Sequence, residues 1–509
     1  MPLIKTLAGF FMSSRLKRLE KIRAKPDETQ ASVFKDLISN LSQTEFGHTH
    51  KINSNTSERE FGSKIPLQEY ETIYPWIEKC LKGEKNILWP GEVTWFSKSS
   101  GTTNDRSKYI PVTHASLHNN HFKGGRDMVA AYLASQPSTR IFEGKQLSLG
   151  GNLIPNPYRN NSFIGDVSAV LIRNLPAFYE YFRCPDRAIA LMDDWEPKIE
   201  KLAAATMNLR VASAAGVPSW MLLLFRTIME MKGAKNMHEV WPGFEVFFHG
   251  GVSFDPYRES YHKIFPDKKI NLVETYNASE GFFSFQDSPV ERGMLLLTDH
   301  GIYYEFIPLD SAGGLAKDVV PLSAVETGKQ YAIVISTNGG LWRYMPGDTI
   351  RFTSVYPHRI VVSGRTKHFI NLFGEELMVE NADRGIDAAC KASGAEMENY
   401  CAGPVFFKES GTGKHVWLIE FKTYPEDLDV FARILDESLQ NQNSDYAAKR
   451  QQNLLLGPPE IKAVPAGTFL NWLKEKNRLG AQAKIQRLSN SEEWIREFLM
   501  FAEQGNPKS

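Results

Sequence analysis

Hydrophobic residues recur at three- and four-residue spacing through several long stretches of the chain, and this spacing predicts amphipathic helices. The predicted helices cover residues 11–44, 113–135, 186–206 and 218–232. Pro218 opens the last of these, as proline does in the first turn of a helix. Pro197 lies inside the third and is expected to kink or interrupt it.

Further along the chain, β-branched and aromatic residues gather in short runs that are separated by Gly, Pro, Asp and Asn. Such runs predict strands. They cover residues 244–249, 269–275, 294–298, 302–307, 331–336, 341–344, 349–353 and 359–363. The pattern therefore predicts a strand-rich body that follows the first helices.

The pattern of predicted elements changes again after residue 364. Strands are predicted at 404–408 and 415–422, and helices at 425–441, 468–477 and 491–503. The polar stretch from Ser363 to His368 is the predicted boundary. We therefore predict an α/β chain with a large N-terminal domain, residues 1–363, in which β-sheets pack with helices. A small, mobile α+β domain, residues 368–509, would follow it.

Composition narrows the class of partner. At 509 residues the chain is too long for one core, which agrees with two domains. Its 59 basic and 59 acidic side chains give a net charge of zero, so neither nucleic acid nor an anionic membrane is expected as a partner. Four cysteines without metal-ligand spacing predict reduced thiols and a cytoplasmic protein. The chain contains no run of eighteen apolar residues, so no membrane span is expected.

The segment from Phe96 to Thr113 carries the strongest chemical signal. Four hydroxyl residues, Ser99, Ser100, Thr102 and Thr103, surround Gly101, and Lys108 follows. Hydroxyls, exposed backbone N–H groups and a lysine can together hold a triphosphate. An ordinary Ser/Thr turn before a helix capped by Thr113 explains the same residues equally well. The spacing is not that of a Walker A motif.

Three further segments follow predicted strands or lie near the chain end. The first runs from Glu274 to Gly281 and offers Tyr276 for stacking on a base and Glu280 for Mg²⁺, although a plain turn is the simpler interpretation. The second runs from Arg343 to Asp348, whose carboxylate can accept hydrogen bonds from a ribose or simply belong to a hairpin turn. The third contains Lys484, which alone would be taken as a solvated lysine.

In this order, the four segments resemble the motifs of the adenylate-forming superfamily. They are most similar to those of the auxin-responsive (Gretchen Hagen) acyl acid–amido synthetases, and a bacterial member is expected. The matching motifs are Ser99-Ser-Gly-Thr-Thr, Tyr276-Asn-Ala-Ser-Glu-Gly and Arg343-Tyr-Met-Pro-Gly-Asp. The last departs from the family pattern Tyr-Arg-x-Gly-Asp, since Trp342 precedes Arg343 and the spacing from Arg343 to Gly347 is longer. Asp348 is taken as the match.

The resemblance implies a firefly-luciferase-like fold with ATP and Mg²⁺ as cofactors. It assigns nucleotide binding to Ser99, Ser100, Gly101, Thr102, Thr103, Gly251, Val252, Tyr276, Asn277, Ser279, Asp348 and Arg365. Lys108, Glu280 and Lys484 would act in catalysis, with Glu280 also ligating Mg²⁺. Lys367 would lie at the hinge between the domains.

The implied reaction joins a small-molecule carboxylic acid to an amino acid through an acyl-AMP intermediate. Two anions must meet when the carboxylate attacks the α-phosphorus, so cations and N–H donors are needed around the transition state. The acid pocket is expected along residues 113–135 and 148–176, where Arg126 could pair with an acidic substituent. A monomer is expected.

Two alternatives stay open at this point. The acceptor could be coenzyme A, or the chain could be a silent nucleotide- or acid-binding sensor. A serine hydrolase and a zinc enzyme are disfavoured, because neither Gly-x-Ser-x-Gly nor His-Glu-x-x-His nor a paired-cysteine pattern is found.

Overall fold

The computed structural model describes residues 2–99, 108–252, 254, 257–266, 270–309, 315–365, 369–475 and 486–504. Its helices before residue 366 are α1 (Pro2–Ala24), α2 (Pro26–Leu41), α3 (Glu45–Thr49), α4 (Glu58–Lys64), α5 (Tyr70–Leu81), α6 (His114–Ser116), α7 (Phe122–Ser135), α8 (Val167–Asn174), α9 (Ala177–Glu180), α10 (Arg187–Ala190), α11 (Trp195–Thr206), α12 (Pro218–Lys232), α13 (Met237–Val240) and α14 (Arg258–Ile264). A π-helical turn, Leu117–His121, joins α6 to α7.

The strands of the same part are β1 (Trp95–Ser99), β2 (Lys108–Val112), β3 (Lys145–Ser148), β4 (Leu153–Pro155), β5 (Phe163–Gly165), β6 (Arg183–Cys184), β7 (Val211–Gly216), β8 (Val246–Gly250), β9 (Asn271–Ala278), β10 (Gly281–Phe285), β11 (Met294–Leu296), β12 (Ile302–Pro308), β13 (Val320–Pro321), β14 (Gln330–Thr337), β15 (Asp348–Val355) and β16 (His358–Arg365).

The C-terminal part contains β17 (Phe369–Ile370), β18 (Leu377–Met378), α15 (Val379–Ser393), β19 (Glu396–Phe407), β20 (Thr412–Thr423), α16 (Leu428–Gln442), α17 (Ser444–Arg450), β21 (Glu460–Val464), α18 (Thr468–Glu475) and α19 (Glu492–Gln504). Short 3-10 turns lie at Ile141–Glu143, Leu322–Ala324 and Gln451–Asn453.

Twelve described strands form one large sheet in the order β13-β12-β14-β15-β16-β11-β10-β9-β8-β7-β3-β6. Strands β6, β3, β7, β8 and β9 run parallel. From β9 to β10 the pairing becomes antiparallel and stays so to the other edge. The carboxyl ends of β7, β8 and β9 therefore meet at one edge of the sheet, beside the place where the direction changes.

A second sheet has the order β2-β1-β5-β4. Strands β1 and β2 are antiparallel. Ser99 is paired with Lys108 at the end where the chain passes from one strand to the other. The segment predicted to be a phosphate loop therefore joins two strands of a hairpin. The sequence pattern missed both strands, because hydroxyl and lysine side chains hide their alternation.

Most of the predicted elements are confirmed, and the helix at 218–232 matches α12 residue for residue. The break predicted at Pro197 is wrong, since the chain leaves the helix at residues 191–194 and Pro197 lies in the first turn of α11. The strand predicted at 341–344 is also wrong. Arg343 has φ +46°, which ends the extended conformation, and Tyr344 makes only isolated bridges.

One apolar core joins the two parts of the chain. Phe225 and Tyr257, from α12 and just before α14, share it with Phe373 and Trp417 of the C-terminal part. Across the same contact, the Tyr257 hydroxyl donates to the backbone oxygen of Leu372 at 2.7 Å. Residues 366–368 lie outside the described ranges, so the domain boundary and the hinge at Lys367 stay predictions.

No helix in the described ranges combines the length and the apolar character that crossing a membrane requires.

A buried charge network holds α1 and α7 against the loop before β12. The His300 ring lies 2.7 Å from Asp299 Oδ1 and 3.2 Å from Asp127 Oδ2, and Arg15 of α1 donates to Asp127 at 2.5 Å. Burial opposes ionisation of Asp299, but His300 and Lys123 outweigh it and lower the pKa of this carboxyl to about 2. The network therefore fixes the helix that carries part of the cavity described below.

We predict that Asp299→Asn costs about 2 kcal/mol of unfolding free energy at pH 7, because an aspartate with a pKa near 2 instead of 3.8 stabilises the folded state by about that amount. A depressed carboxyl pKa stabilises the fold above pH 4, and this contribution disappears as the pH falls towards 2. The gap between the variant and the parent should therefore narrow below pH 4 in urea denaturation. Asp387→Asn, at an exposed carboxylate paired with Lys391, is the control and should change little. An equal gap at every pH would contradict the network's role.

Candidate active site

A cavity of about 1800 Å³ opens at the carboxyl ends of β7, β8 and β9. Crevices at such strand ends are where open α/β sheets bind ligands. Residues of the two parts of the chain line it, including α7 and α8 on one side and the segment 371–376 and α17 on the other. The cavity is lined by six of the residues that were predicted to bind the nucleotide: Gly251, Val252, Tyr276, Asn277, Ser279 and Asp348.

The floor of the cavity approaches the ends of β8 and β9 closely. Gly250 pairs with Thr275, and a Cβ atom on Gly250 would lie only 2.4 Å from the Thr275 backbone oxygen. Gly251 follows with φ +84°, a conformation that favours glycine. The chain can therefore turn tightly here and leave Val252 at the cavity wall. A flat ligand such as a purine can approach backbone of this kind.

Tyr276 and Asp348, which are 72 residues apart in sequence, meet at the cavity. The Tyr276 hydroxyl donates to Asp348 Oδ2 at 2.5 Å, and both side chains are more than nine-tenths buried. Phe283 packs against the Tyr276 ring at 4.6 Å between centroids. Asp348 begins β15 and is paired in register with Arg365 of β16. The geometry thus fixes one carboxylate beside one aromatic ring at the end of the sheet.

Two more side-chain contacts tie the second motif to the segments around the phosphate-loop candidate. Ser97 of β1 donates to Ser279 at 2.9 Å between their hydroxyl oxygens. His121, in the π-helical turn after β2, lies 3.1 Å from Asn277 Oδ1 through its Nδ1. The strand before the 100–107 segment and the helix after it are therefore both anchored to the end of β9.

The His121 ring is neutral at pH 7. Burial lowers its pKa to about 4, although the hydrogen bond with Asn277 opposes this shift. Because the Asn277 side-chain oxygen accepts a hydrogen bond from Nδ1–H, Nε2 is left as an acceptor, and it has no hydrogen-bond partner among the described residues. His121 lines the cavity. His121 was not among the predicted site residues, although His114, His118 and His121 follow helical spacing.

Two lysines reach the cavity from the hairpin. Lys108, predicted from the sequence, begins β2, and its Nζ lies 5.9 Å from the centre of the Tyr70 ring. Lys98 of β1 also lines the cavity and was not predicted. Together they place positive charge at the base of the segment 100–107.

Glu280 lines the cavity beside Ser279. No group of three or more His, Cys, Asp or Glu side chains able to hold a metal ion occurs within the described ranges. A complete protein cage for a metal is therefore not seen in that part of the chain. A lone carboxylate suits Mg²⁺, which proteins commonly bind through one or two carboxylates together with substrate phosphates.

One part of the cavity, called the apolar arm, has mainly hydrophobic walls. It is lined by Phe122, Val129, Leu149, Val167, Leu171, Leu175, Phe178, Phe182 and Phe248. Six of these nine residues lie in the ranges expected for the acid pocket, 113–135 and 148–176. Phe178 of α9, Phe182 and Phe248 of β8 lie outside those ranges. Lys198, which is fully buried, holds the wall of this arm by donating to the backbone oxygens of Gly150, Gly151 and Met192 at 2.5, 3.3 and 2.9 Å.

The two arginines whose roles the sequence left undecided differ. Arg343 lies away from the cavity, where it donates to Glu305 at 3.0 Å and to the backbone oxygens of Gly62 and Ile65. Its role is structural. Arg126 lines the cavity, and its guanidinium donates a long hydrogen bond of 3.4 Å to the His118 backbone oxygen.

Several predicted site residues lie outside the described part of the chain. They are Ser100, Gly101, Thr102, Thr103, Lys367 and Lys484. Ser99 and Arg365 are placed by their strand pairing only. The predicted roles of all these residues stay predictions.

Comparison with known proteins agrees with this architecture. Models of the GH3 family match in three consecutive pieces: the N-terminal domain at residues 15–270, the central domain at 295–365 and the C-terminal domain at 380–493. Among curated relatives, indole-3-acetic acid-amido synthetase GH3.4 of Arabidopsis thaliana is 23% identical over 89% of this chain and 87% of its own length. The 4-substituted benzoates-glutamate ligase GH3.12 of the same plant is 23% identical over 89% and 90%.

Solved structures give the same fold. An acyl acid amido synthetase, AtGH3.15 in complex with 2,4-DB, superposes with a TM-score of 0.61 at 17% identity and covers 96% of each chain. A 2-hydroxyisobutyryl-CoA ligase superposes with a TM-score of 0.57 at 13% identity and covers 95% of this chain and 94% of its own. The predicted adenylate-forming fold class is confirmed. Since the N-terminal domain model alone spans half of the sequence and the three models follow one another along it, the chain belongs to the GH3 family.

Proposed function

We propose that this protein is an ATP-dependent, AMP-forming ligase that joins a carboxylic acid to an amino acid. In the first step the acid and ATP give acyl-AMP and pyrophosphate. In the second step the amine attacks the acyl carbon, the amide forms and AMP leaves. The observation that carries the proposal is the contact of Tyr276 with Asp348 inside a cavity that has an apolar arm on its other side.

The nucleotide is assigned to the glycine-rich end of β8 and the end of β9. Gly251 and Val252 would lie against the adenine, Tyr276 and Asn277 would contact the adenylate, and Asp348 would accept hydrogen bonds from the ribose. A carboxylate already held by a hydroxyl donor is pre-oriented for this task, which reduces the entropy lost on binding.

The phosphates are assigned to the hairpin between β1 and β2. Ser99, Ser100, Gly101, Thr102 and Thr103 would supply hydroxyls and backbone N–H groups, and Lys108 would add positive charge. Glu280 would hold Mg²⁺ together with the phosphates. The hard oxygen ligand and the single carboxylate support Mg²⁺ over a softer metal.

The carboxylic acid is assigned to the apolar arm. The curated relatives are named for indole-3-acetic acid and for 4-substituted benzoates, and an aromatic or aliphatic body of similar size suits the phenylalanine and leucine side chains found here. The acceptor is proposed to be an amino acid, since the relatives are amido synthetases or a glutamate ligase. Coenzyme A is the second candidate, and the superposition on a CoA ligase is what keeps it open.

The C-terminal part is proposed to move as a body about Lys367 and to bring Lys484 to the α-phosphate. We further propose a cytoplasmic monomer. The four cysteines are all free, three of them buried, which supports a reducing compartment.

The decisive experiment is acid-dependent exchange of labelled pyrophosphate into ATP, screened over aromatic and aliphatic carboxylic acids with Mg²⁺. We expect at least one acid to support exchange, and amide to form when amino acids are added. A folded protein that binds ATP but exchanges no pyrophosphate over the whole panel would contradict the proposed function and favour the sensor. Thioester formation in place of amide would identify coenzyme A as the acceptor.

Asp348→Ala should weaken ATP binding at least about tenfold in calorimetry, because hydrogen bonds to a charged carboxylate contribute about 1.5–3 kcal/mol each. Tyr276→Phe should weaken binding less, since it removes only the donor that orients the carboxylate. Asp318→Ala, at an exposed aspartate outside the cavity, is the matched control and should bind ATP normally. An unchanged affinity in Asp348→Ala would exclude a ribose-binding role.

Lys484→Ala should slow adenylation by about 10²–10³-fold, as loss of one transition-state charge contact does, while ATP still binds. Amide formation from acyl-AMP supplied ready-made should be less affected, because that step no longer brings two anions together. Thermal denaturation provides the folding control. A variant that adenylates at the parent's rate would remove Lys484 from the mechanism.

A further inference from the structure

Helix α17 of the C-terminal part faces the N-terminal part across the cavity. It places Ser444, Asp445, Ala448 and Lys449 on the cavity wall, and Asp166 lies on the wall that belongs to α8. These residues come from sequence positions almost 300 apart. None belongs to a predicted nucleotide motif, and Asp166 lies in the segment 148–176 that was expected along the acid pocket. The proposed nucleotide and acid sites leave them without a task.

Lys449 is buried, and the described residues give it no ion pair closer than 4.0 Å. Its side chain is 8% exposed, and its nearest carboxylate contact is Asp445 Oδ1 at 4.0 Å. It also lies 5.3 Å from the centre of the Trp220 ring. A second lysine of the C-terminal part, Lys391, has the same i,i+4 spacing to Asp387 but lies 2.6 Å from it, on an exposed surface. Burying a charged ammonium with so loose a pair is costly unless another anion joins it.

Asp166 and Asp445 put negative charge next to this lysine. Asp166 Oδ2 accepts a hydrogen bond from the Asn152 backbone N–H at 2.9 Å. Burial raises the pKa of Asp166, and the charge of Asp445 raises it further, so the two carboxylates sense each other across the gap. Lys449 and two carboxylates thus line the same stretch of the cavity. Lys449 and Lys98, which is also on the cavity wall, oppose the upward shift in the pKa of Asp166.

We propose that this cluster is the subsite for the charged head of the acceptor amino acid. Lys449 binds the α-carboxylate, and Asp166 and Asp445 attract the α-ammonium group. The proposal rests on the function proposed above and adds the residues that select a zwitterion as the acceptor.

The charge pattern argues against the other occupants of the cavity. A nucleotide phosphate carries only negative charge, so it would be attracted by Lys449 but repelled by both carboxylates. The thiol arm of coenzyme A is uncharged where it would reach the acyl carbon, and it would leave all three side chains unmatched. A molecule with a cation and an anion one carbon apart satisfies both signs.

The test separates the two half-reactions in the full-length enzyme. The acid and the amino acid that give the highest rates in the panel screen are used, together with the C-terminal amide of that amino acid, which has the amine but no carboxylate. For the parent we expect kcat/KM to favour the amino acid over its amide. Lys449→Met should lower kcat/KM for the amino acid about 10–100-fold, as loss of a charge-assisted contact does. It should leave the amide and pyrophosphate exchange unchanged.

Asp445→Asn gives a second, complementary outcome. It should lower kcat/KM for the amino acid and for its amide alike, because both carry the ammonium group. Lys449→Arg keeps the charge and should retain part of the preference for the amino acid. Lys391→Met is the matched control, at the exposed lysine with the same spacing, and should behave like the parent.

The outcomes distinguish this inference from the proposed function. If no acid supports exchange in the parent, the proposed function fails. If exchange and amide formation occur but Lys449→Met keeps the parent's preference for the amino acid, the subsite is wrong. If Lys449→Met instead raises KM for ATP in the exchange assay, the lysine serves the nucleotide, and the inference is overturned. Should Lys449→Met not fold, Asp445→Asn, at a side chain that is 30% exposed, decides the question with the same two acceptors.

Discussion

The change of strand direction at β9 is the constraint on which the rest of the site depends. β9 runs parallel to β8 and antiparallel to β10, so the sheet brings the ends of three parallel strands to one edge and then turns back on itself. The backbone approach at Gly250 leaves no room for a side chain there. The cavity lies at this edge of the sheet, beside the change of strand direction.

The chemistry proposed for this cavity requires negative charges to be brought together, and the structure handles buried charge in two ways. Where a charge serves the fold, it is closely paired, as Asp287 is by Arg23 and Arg359 and as Glu375 is by His415. Glu375 also accepts hydrogen bonds from the backbone N–H groups of Leu372 and Phe373 and so fixes a segment of the cavity wall. Two of the charges that face the cavity are held more loosely. Lys449 illustrates this, and Arg126 is the corresponding case in the acid arm.

Much of the fold could be predicted because the pattern is locally strong. Parallel strands such as β8 are continuous apolar runs, and α12 carries a proline at its start and Gly233 just past its end, with φ +64°. The hairpin of β1 and β2 was missed because hydroxyl and lysine side chains hide the alternation of its strands. The end of the strand predicted at 341–344 depends on one backbone angle, at Arg343, which no local pattern reveals.

Some features of the candidate site could likewise be predicted from the sequence, and others could not. Tyr276 and Asp348 could be predicted because each lies in a short motif that follows or begins a strand. Their hydrogen bond could not, since it depends on how strands four places apart in the sheet bring their ends together. His121 and Lys198 act through backbone and amide partners that are distant in sequence. Asp166 and Lys449 line the same cavity because the C-terminal part packs on α12, which is a property of the whole core.

This division bears on how the two substrates are selected. The acid arm is built on α7, which Asn120 anchors to β10 through hydrogen bonds with both backbone groups of Phe282, and which Asp127 anchors to α1. The walls of the acid arm therefore belong to the N-terminal part of the chain. The acceptor subsite instead draws Asp166 from that part and Lys449 from the C-terminal part. Movement of the C-terminal part would open or assemble the acceptor subsite and leave the acid arm unchanged. Adenylation could then proceed before the amine is admitted, and substitutions on α17 could alter the choice of acceptor without altering the choice of acid.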